Sequence, residues 1–109
     1  MSRVKGDIAE GRAADFLIEN GYMIIERNFY SRFGEIDIIA IKNSVLHFIE
    51  VKSALNYELA VQNITPRKIS RLIKTGAVYM KKNALDVNFM FDGVIVTPSQ
   101  VEVIENITL

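Results

Sequence analysis

The sequence of 109 residues contains no cysteine. That excludes disulfides, thiolate nucleophiles and cysteine-based zinc or iron–sulfur sites, and it fits a reducing, cytoplasmic setting. A single histidine, His47, cannot build a histidine-rich metal site. The longest aliphatic runs, such as residues 38–41, fall far short of the roughly 20 apolar residues that a membrane-spanning helix needs. Residues 1–7 have no apolar segment behind their charges, so they do not read as a secretory signal. Net charge is also absent, with 13 basic against 13 acidic residues. Binding to nucleic acid must therefore come from segregated charge and not from an overall excess. There is no internal repeat, no low-complexity tract and no linker. What is present is a half-hydrophobic composition with about a quarter charged residues, enough for one domain with a real core and a radius of gyration of roughly 13 Å.

The chain divides into short elements. Residues 5–20 read as a helix closed by Gly21, with Ala9, Ala13, Ala14, Phe16 and Leu17 on one stripe. Residues 22–28, 34–42 and 45–53 read as strands, the last two joined by Asn43-Ser44. Residues 54–64 read as a loop. Thr65 is an N-cap and Pro66 a first helical residue, opening a helix to about Lys82 that Asn83 can end. Residues 87–97 and 101–107 read as final strands around a Pro98-Ser99-Gln100 turn. The order α-β-β-β-α-β-β, with a strand–helix–strand crossover between parallel neighbours, predicts an α/β fold: a mixed sheet with helices packed on it.

The second and third strands carry the chemistry. Glu35 and Asp37 are two residues apart, as are Glu50 and Lys52, and residues two apart on a strand share a face. A two-residue turn at Asn43-Ser44 would place Asp37 opposite Glu50 and Glu35 opposite Lys52. The rest of that face is apolar: Ile39, Ile41, Leu46 and Phe48. Like charges placed opposite one another are destabilising, and Lys52 can neutralise only one of the three carboxylates. A divalent cation resolves the remainder, and an ammonium beside it suits phosphate chemistry. Glu10 adds a fourth carboxylate inside the apolar stripe of the first helix, where a lone acid is costly unless paired or metal-linked. The alternative reading is an ordinary salt-bridge network.

The run Gly34-Glu35-Ile36-Asp37-Ile38-Ile39-Ala40, followed by Phe48-Ile49-Glu50-Val51-Lys52-Ser53, resembles the PD-(D/E)-x-K nuclease signature. Lacking a proline before the aspartate, it is similar to archaeal Holliday-junction resolvases. The whole chain is closer still to the YraN-type family of small bacterial proteins with a restriction-endonuclease-like fold. Glu10, Ala13, Leu17, Gly21-Tyr22, Arg27-Asn28, Thr65-Pro66-Arg67-Lys68 and Phe91-Asp92 extend the resemblance. It departs at Ala9, where the family usually has glycine, and at Ala54, where it often has arginine. The resemblance implies that Asp37 and Glu50 hold Mg²⁺ or Mn²⁺, with the Val51 carbonyl, that Lys52 positions or activates the attacking water, and that Glu10 completes the site. Glu35 is an accessory member that pairs with Lys52.

The second long helix holds Arg67, Lys68, Arg71, Lys74, Lys81 and Lys82 and no acid. On a helical wheel they lie opposite Ile69, Leu72, Ile73, Ala77 and Met80. Two readings stand: a solvated face or a surface for a phosphate backbone. His47 lies opposite the acidic face and reads as a packed or rim residue, and Tyr79 as core edge. Tyr30 and Phe33, flanking Arg32, read as packed turn aromatics more readily than as a base-stacking platform. The expectation is a metal-dependent nuclease acting on DNA rather than RNA, on branched or single-stranded substrates, as a homodimer if both strands of a junction are cut. The alternative is a non-catalytic binding module on the same fold.

Overall fold

In the computed structural model, which describes residues 3–108, the first helix, α1, runs over Arg3–Glu19 and stops at a cap built by Gly21. The Tyr22 N–H donates to the Leu17 carbonyl at 2.9 Å and the Gly21 N–H to that of Ile18 at 3.1 Å. This Schellman arrangement requires a left-handed residue, and Gly21 supplies it with φ +89°. Leu17 and Tyr22 then meet in one apolar cluster.

Three strands follow as an antiparallel meander: β1 Met23–Ser31, β2 Gly34–Lys42 and β3 Val45–Ser53. Asn43 and Ser44 both take positive φ, 53° and 64°, the signature of a tight hairpin turn matched to strand twist. Lys42 therefore pairs with Val45, and the expected register runs from there to Ile38↔Ile49. Two helices cross over from β3: α2 Tyr57–Gln62 and α3 Pro66–Lys82. They lead to β4 Phe89–Val96, parallel to β3, and β5 Val101–Ile104 closes the sheet in the order β1-β2-β3-β4-β5. The expected α/β order holds, with α2 inserted where a loop was expected. Asn56 caps α2 by accepting from the Leu59 N–H at 3.0 Å, and so short a helix carries no periodic stripe to reveal it. The expected last strand is also too long. After Ile104 the chain returns to β4 through two bonds, Asn106 N–H to Asp92 Oδ1 and Ile107 N–H to the Phe91 carbonyl, both 2.8 Å.

The sheet has a core on each face. On one, Ala9, Ala13 and Leu17 of α1 pack on Ile38, Ile49 and Val94. On the other, Leu72 and Tyr79 of α3 pack on Ile39, Phe48 and Phe91. The buried side of α3 differs from the wheel reading. Leu72, Thr75, Gly76 and Tyr79 face the sheet, while Ile73 is exposed. Small and polar residues disguised this face. A Cβ on Gly76 would lie 2.8 Å from Phe91 Cε1, so only glycine lets the helix approach so closely. Thr75 satisfies its hydroxyl at 2.9 Å from Ser31 Oγ. The basic arc therefore borders the buried side and reaches the sheet's end, instead of lying diametrically opposite. The radius of gyration is 13.0 Å, as the length predicts.

Candidate active site

The site begins with a fault in two strand ladders. Pairing of β1 with β2 shifts register between Ile24 and Glu26, and from Arg27↔Ile38 to Phe29↔Ile36 it keeps register while passing Asn28, whose φ is +56°. Asn tolerates this left-handed conformation better than most residues. The side chains change face at this step: Ile38 lies under α1, whereas Phe29 and Ile36 belong to the α3 core. On the other side of β2, the regular pairing with β3 ends at Ile38↔Ile49. The next position is Asp37, and its Oδ2 accepts the Val51 N–H at 2.7 Å. A side chain thus replaces the backbone partner where the strands part.

The expected Asp37–Glu50 and Glu35–Lys52 pairings lie beyond this regular register. Their side chains nevertheless line one cleft of about 670 Å³ between α1 and α3, together with Glu10, Val51, Lys68 and Arg71. Lys52 Nζ lies 3.4 Å from Glu50 Oε1, so its ion pair is with Glu50 and not with Glu35. Glu35 instead acts on the neighbouring Asp37 carboxyl, raising its pKa. Glu10 is 8% exposed and is held by Arg27 Nε at 3.2 Å. Arg27 has no role in the sequence reading, because its partner is set by how α1 crosses the sheet and not by local spacing.

The electrostatics are unresolved by the protein's own groups. Burial pushes the Asp37 carboxyl up to about 7, against the opposing effect of the Val51 N–H, and Glu35 and Glu10 add to the rise. Glu50 Oε2 is buried and has no hydrogen-bond partner. An orphaned carboxylate oxygen is costly and points to something that the protein does not supply. Among the described residues no three acidic or histidine side chains converge as a metal cage. Two carboxylates still fit a hard cation, because Mg²⁺ is commonly held by one or two of them, with waters and substrate phosphate completing the shell. Asp37 and Glu50, with the Val51 carbonyl, are the groups that would hold it.

The cations divide into two sets. Lys68 and Arg71 line the cleft. The Lys68 ammonium is held below its usual range by burial first and then by the charge of Lys52. Lys74 lies over the Phe33 ring at 5.7 Å and Lys82 over Phe29 at 5.6 Å, while Arg67 and Lys81 are exposed outside the cleft. His47 is buried, as read, with Nδ1 2.5 Å from Asp92 Oδ2 and Tyr22 edge-on at 5.2 Å. Asp92 is completely buried at the Asn106 anchor, a place the sequence did not disclose, whereas Tyr30, expected as a packed turn aromatic, is exposed and lines the cleft.

Comparison with known proteins gives a consistent assignment. A family model described as Uncharacterised protein family UPF0102 matches residues 9–96. The chain is 69% identical to a UPF0102 protein of Sulfurimonas denitrificans over 109 residues, covering all of both chains. It is 54% identical to one of Wolinella succinogenes, again over the full length of both. With a Helicobacter hepaticus relative it shares 48% identity over 108 residues, 99% of this chain and 97% of the other. The matched span holds Glu10, Asp37, Glu50 and Lys52 together, and the chain belongs to the UPF0102 family, the YraN-type family that its motifs resemble.

Proposed function

We propose that the protein is a metal-dependent nuclease that hydrolyses phosphodiester bonds of DNA, with this cleft as its active site. The observation that carries the reading is the partnerless Glu50 Oε2 in the same cleft as a half-buried Asp37, with the Lys52 ammonium in contact with the same Glu50. Two acids and a lysine in that relation are poor for stability and well suited to phosphoryl chemistry. A bound Mg²⁺ or Mn²⁺ would supply Lewis-acid polarisation of the phosphate. Lys52 can orient an attacking water through its ammonium protons and stabilise charge growing on the phosphoryl oxygens. Its pairing with Glu50 fixes that ammonium in the cleft. Glu10, anchored by Arg27, keeps negative potential at the α1 wall. Lys68 and Arg71 hold the flanking phosphates, so binding is directed by backbone charge and shape and not by base edges.

Cleavage of labelled duplex, single-stranded and four-way-junction DNA with Mg²⁺ or Mn²⁺ tests this reading. Metal-dependent cutting should vanish in EDTA and in Asp37→Ala, Glu50→Ala and Lys52→Ala proteins. Cutting that persists in those variants, or folded wild-type protein that cuts none of the substrates, refutes it. The second reading is a non-catalytic nucleic-acid- or protein-binding module. It is favoured by the absence of a three-ligand acidic cluster among the described residues, and it requires binding that survives all three substitutions.

A further inference from the structure

We infer that Arg27 is a positioning residue shared between Glu10 and a phosphate of the substrate, so that nucleic acid releases Glu10 to the cleft and thereby strengthens the binding of a divalent cation. This rests on the nuclease reading and adds how that site is switched on. Glu10 lines the cleft, and its charge acts on Asp37. Its carboxylate is nevertheless held by Arg27, whose Nε lies 3.2 Å from Oε1. Register explains how Arg27 gets there. It stands opposite Ile38, opposite residues of antiparallel strands share a face, and Ile38 packs under α1. Arg27 thus meets Glu10 from β1, whereas Lys68 and Arg71 belong to α3. The next residue, Asn28, lines the cleft.

The two ion pairs of the site differ. Lys52, which holds Glu50, lines the cleft, whereas Arg27, which holds Glu10, does not. The Arg27 side chain is 42% exposed and that of Glu10 only 10%, so the guanidinium meets water and the acid largely does not. Among the described residues the Nε bond is the one polar contact of Arg27. A guanidinium carries five N–H donors in a planar fork that matches phosphate, and a singly bonded, half-exposed ion pair adds little stability. Exchange is therefore easy for the arginine: a strand leaving the cleft past Asn28 brings it a phosphate, and its charge stays paired. For Glu10 the exchange is costly, because a carboxylate so buried needs a partner. A cation between Asp37 and Glu50 in the same cleft supplies one. Each ligand then favours the other, and by linkage the effect is equal in both directions.

Titration of Mn²⁺ at pH 8, followed by its electron paramagnetic resonance signal, tests this without cleavage. It is done with and without a short phosphorothioate single strand, and the strand's own Mn²⁺ binding is subtracted. The strand should tighten Mn²⁺ binding by the wild type about tenfold, an ordinary size for coupling between two sites. Arg27→Gln should bind Mn²⁺ about tenfold more tightly than wild type without the strand and gain little from it, while Arg27→Lys should behave as wild type. Adding Arg27→Gln to Glu10→Gln should change nothing, because the effect passes through Glu10. Glu10→Gln by itself should lose most of the strand's effect, which tests the coupling even if Arg27→Gln does not fold. Three results would each overturn the exchange: Arg27→Gln binding Mn²⁺ no more tightly than wild type, an equal tightening in the Glu10→Gln background, or an undiminished strand effect in Glu10→Gln. The expected shifts in a protein that cuts no DNA with Mg²⁺ would support the exchange and refute the nuclease reading alone.

Discussion

Asp37 serves two partners with one carboxyl group. Its Oδ2 closes the gap in the β2–β3 ladder by accepting the Val51 N–H, while burial and the neighbouring Glu35 and Glu10 oppose its charge. Its folded pKa of about 7 lies above the ordinary 3.8, so the native state holds this proton more tightly than the unfolded chain. The linked stabilisation is complete below about pH 4 and is lost as pH rises through about 7, at up to about 1.4 kcal/mol per unit. Asp37→Asn keeps an acceptor for Val51 and removes the ionisation. Without divalent cation at pH 8 it should melt roughly 5 °C or more above wild type, the difference should shrink at pH 4, and cleavage should be absent. An equal or lower melting temperature at pH 8 would contradict the assigned burial. Stability given up by a reactive group is a common trade. The acids were legible from sequence because period-two spacing on two strands identifies them. Their exact pairing was not, since the regular β2–β3 register ends at Ile38↔Ile49 and the Asp37 side chain takes the Val51 N–H there.

At the scale of elements, α3 determines which cations reach the acids. Its approach is set by Gly76, whose missing side chain makes room for Phe91 and Phe48. Gly76→Ala adds a better helix former, yet the new methyl would collide with Phe91 Cε1. Overpacking of this kind costs about 1–3 kcal/mol and outweighs the propensity gain of up to about 1 kcal/mol. Urea unfolding should show a lower midpoint with an unchanged slope; a higher midpoint would mean that the helix can shift without penalty. The wheel for α3 failed for the same reason. Hydrophobicity ranked Ile73 above Gly76 and Thr75 as a core residue, but close approach favours the smallest side chain, and Thr75 enters the core by pairing with Ser31. The strand register, by contrast, followed from Asn43 and Ser44 alone, because a two-residue turn leaves one pairing. The short α2 offered neither kind of signal.

For the molecule as a whole, zero net charge conceals separation. The acids of the cleft come from α1, β2 and β3, and Lys68 and Arg71 from α3. The phosphate-backbone reading of α3 can be separated from the solvated-face reading by ionic strength. Each phosphate neutralised on a single strand contributes a slope of about −0.7 to log K against log salt. Arg71→Gln should make that slope shallower by about this amount. Lys81→Gln should leave it unchanged, because ten residues of helix place Lys81 about 15 Å further along α3. Equal effects of the two substitutions would assign the basic arc to general solvation. No helix among the described residues is long and apolar enough to cross a membrane.

The path of α1 has a practical consequence. Gly6 and Asp7, in its early turns, line the cleft, and each helical residue advances only about 1.5 Å. A purification handle fused ahead of α1 would therefore be attached within a few residues of cleft-lining positions. A polyhistidine handle there would bring imidazoles of its own to compete for added ions and to shield the entrance. Assays on such a fusion would report the handle's chemistry together with the protein's, so removing it belongs at the start of any biochemical work on this protein.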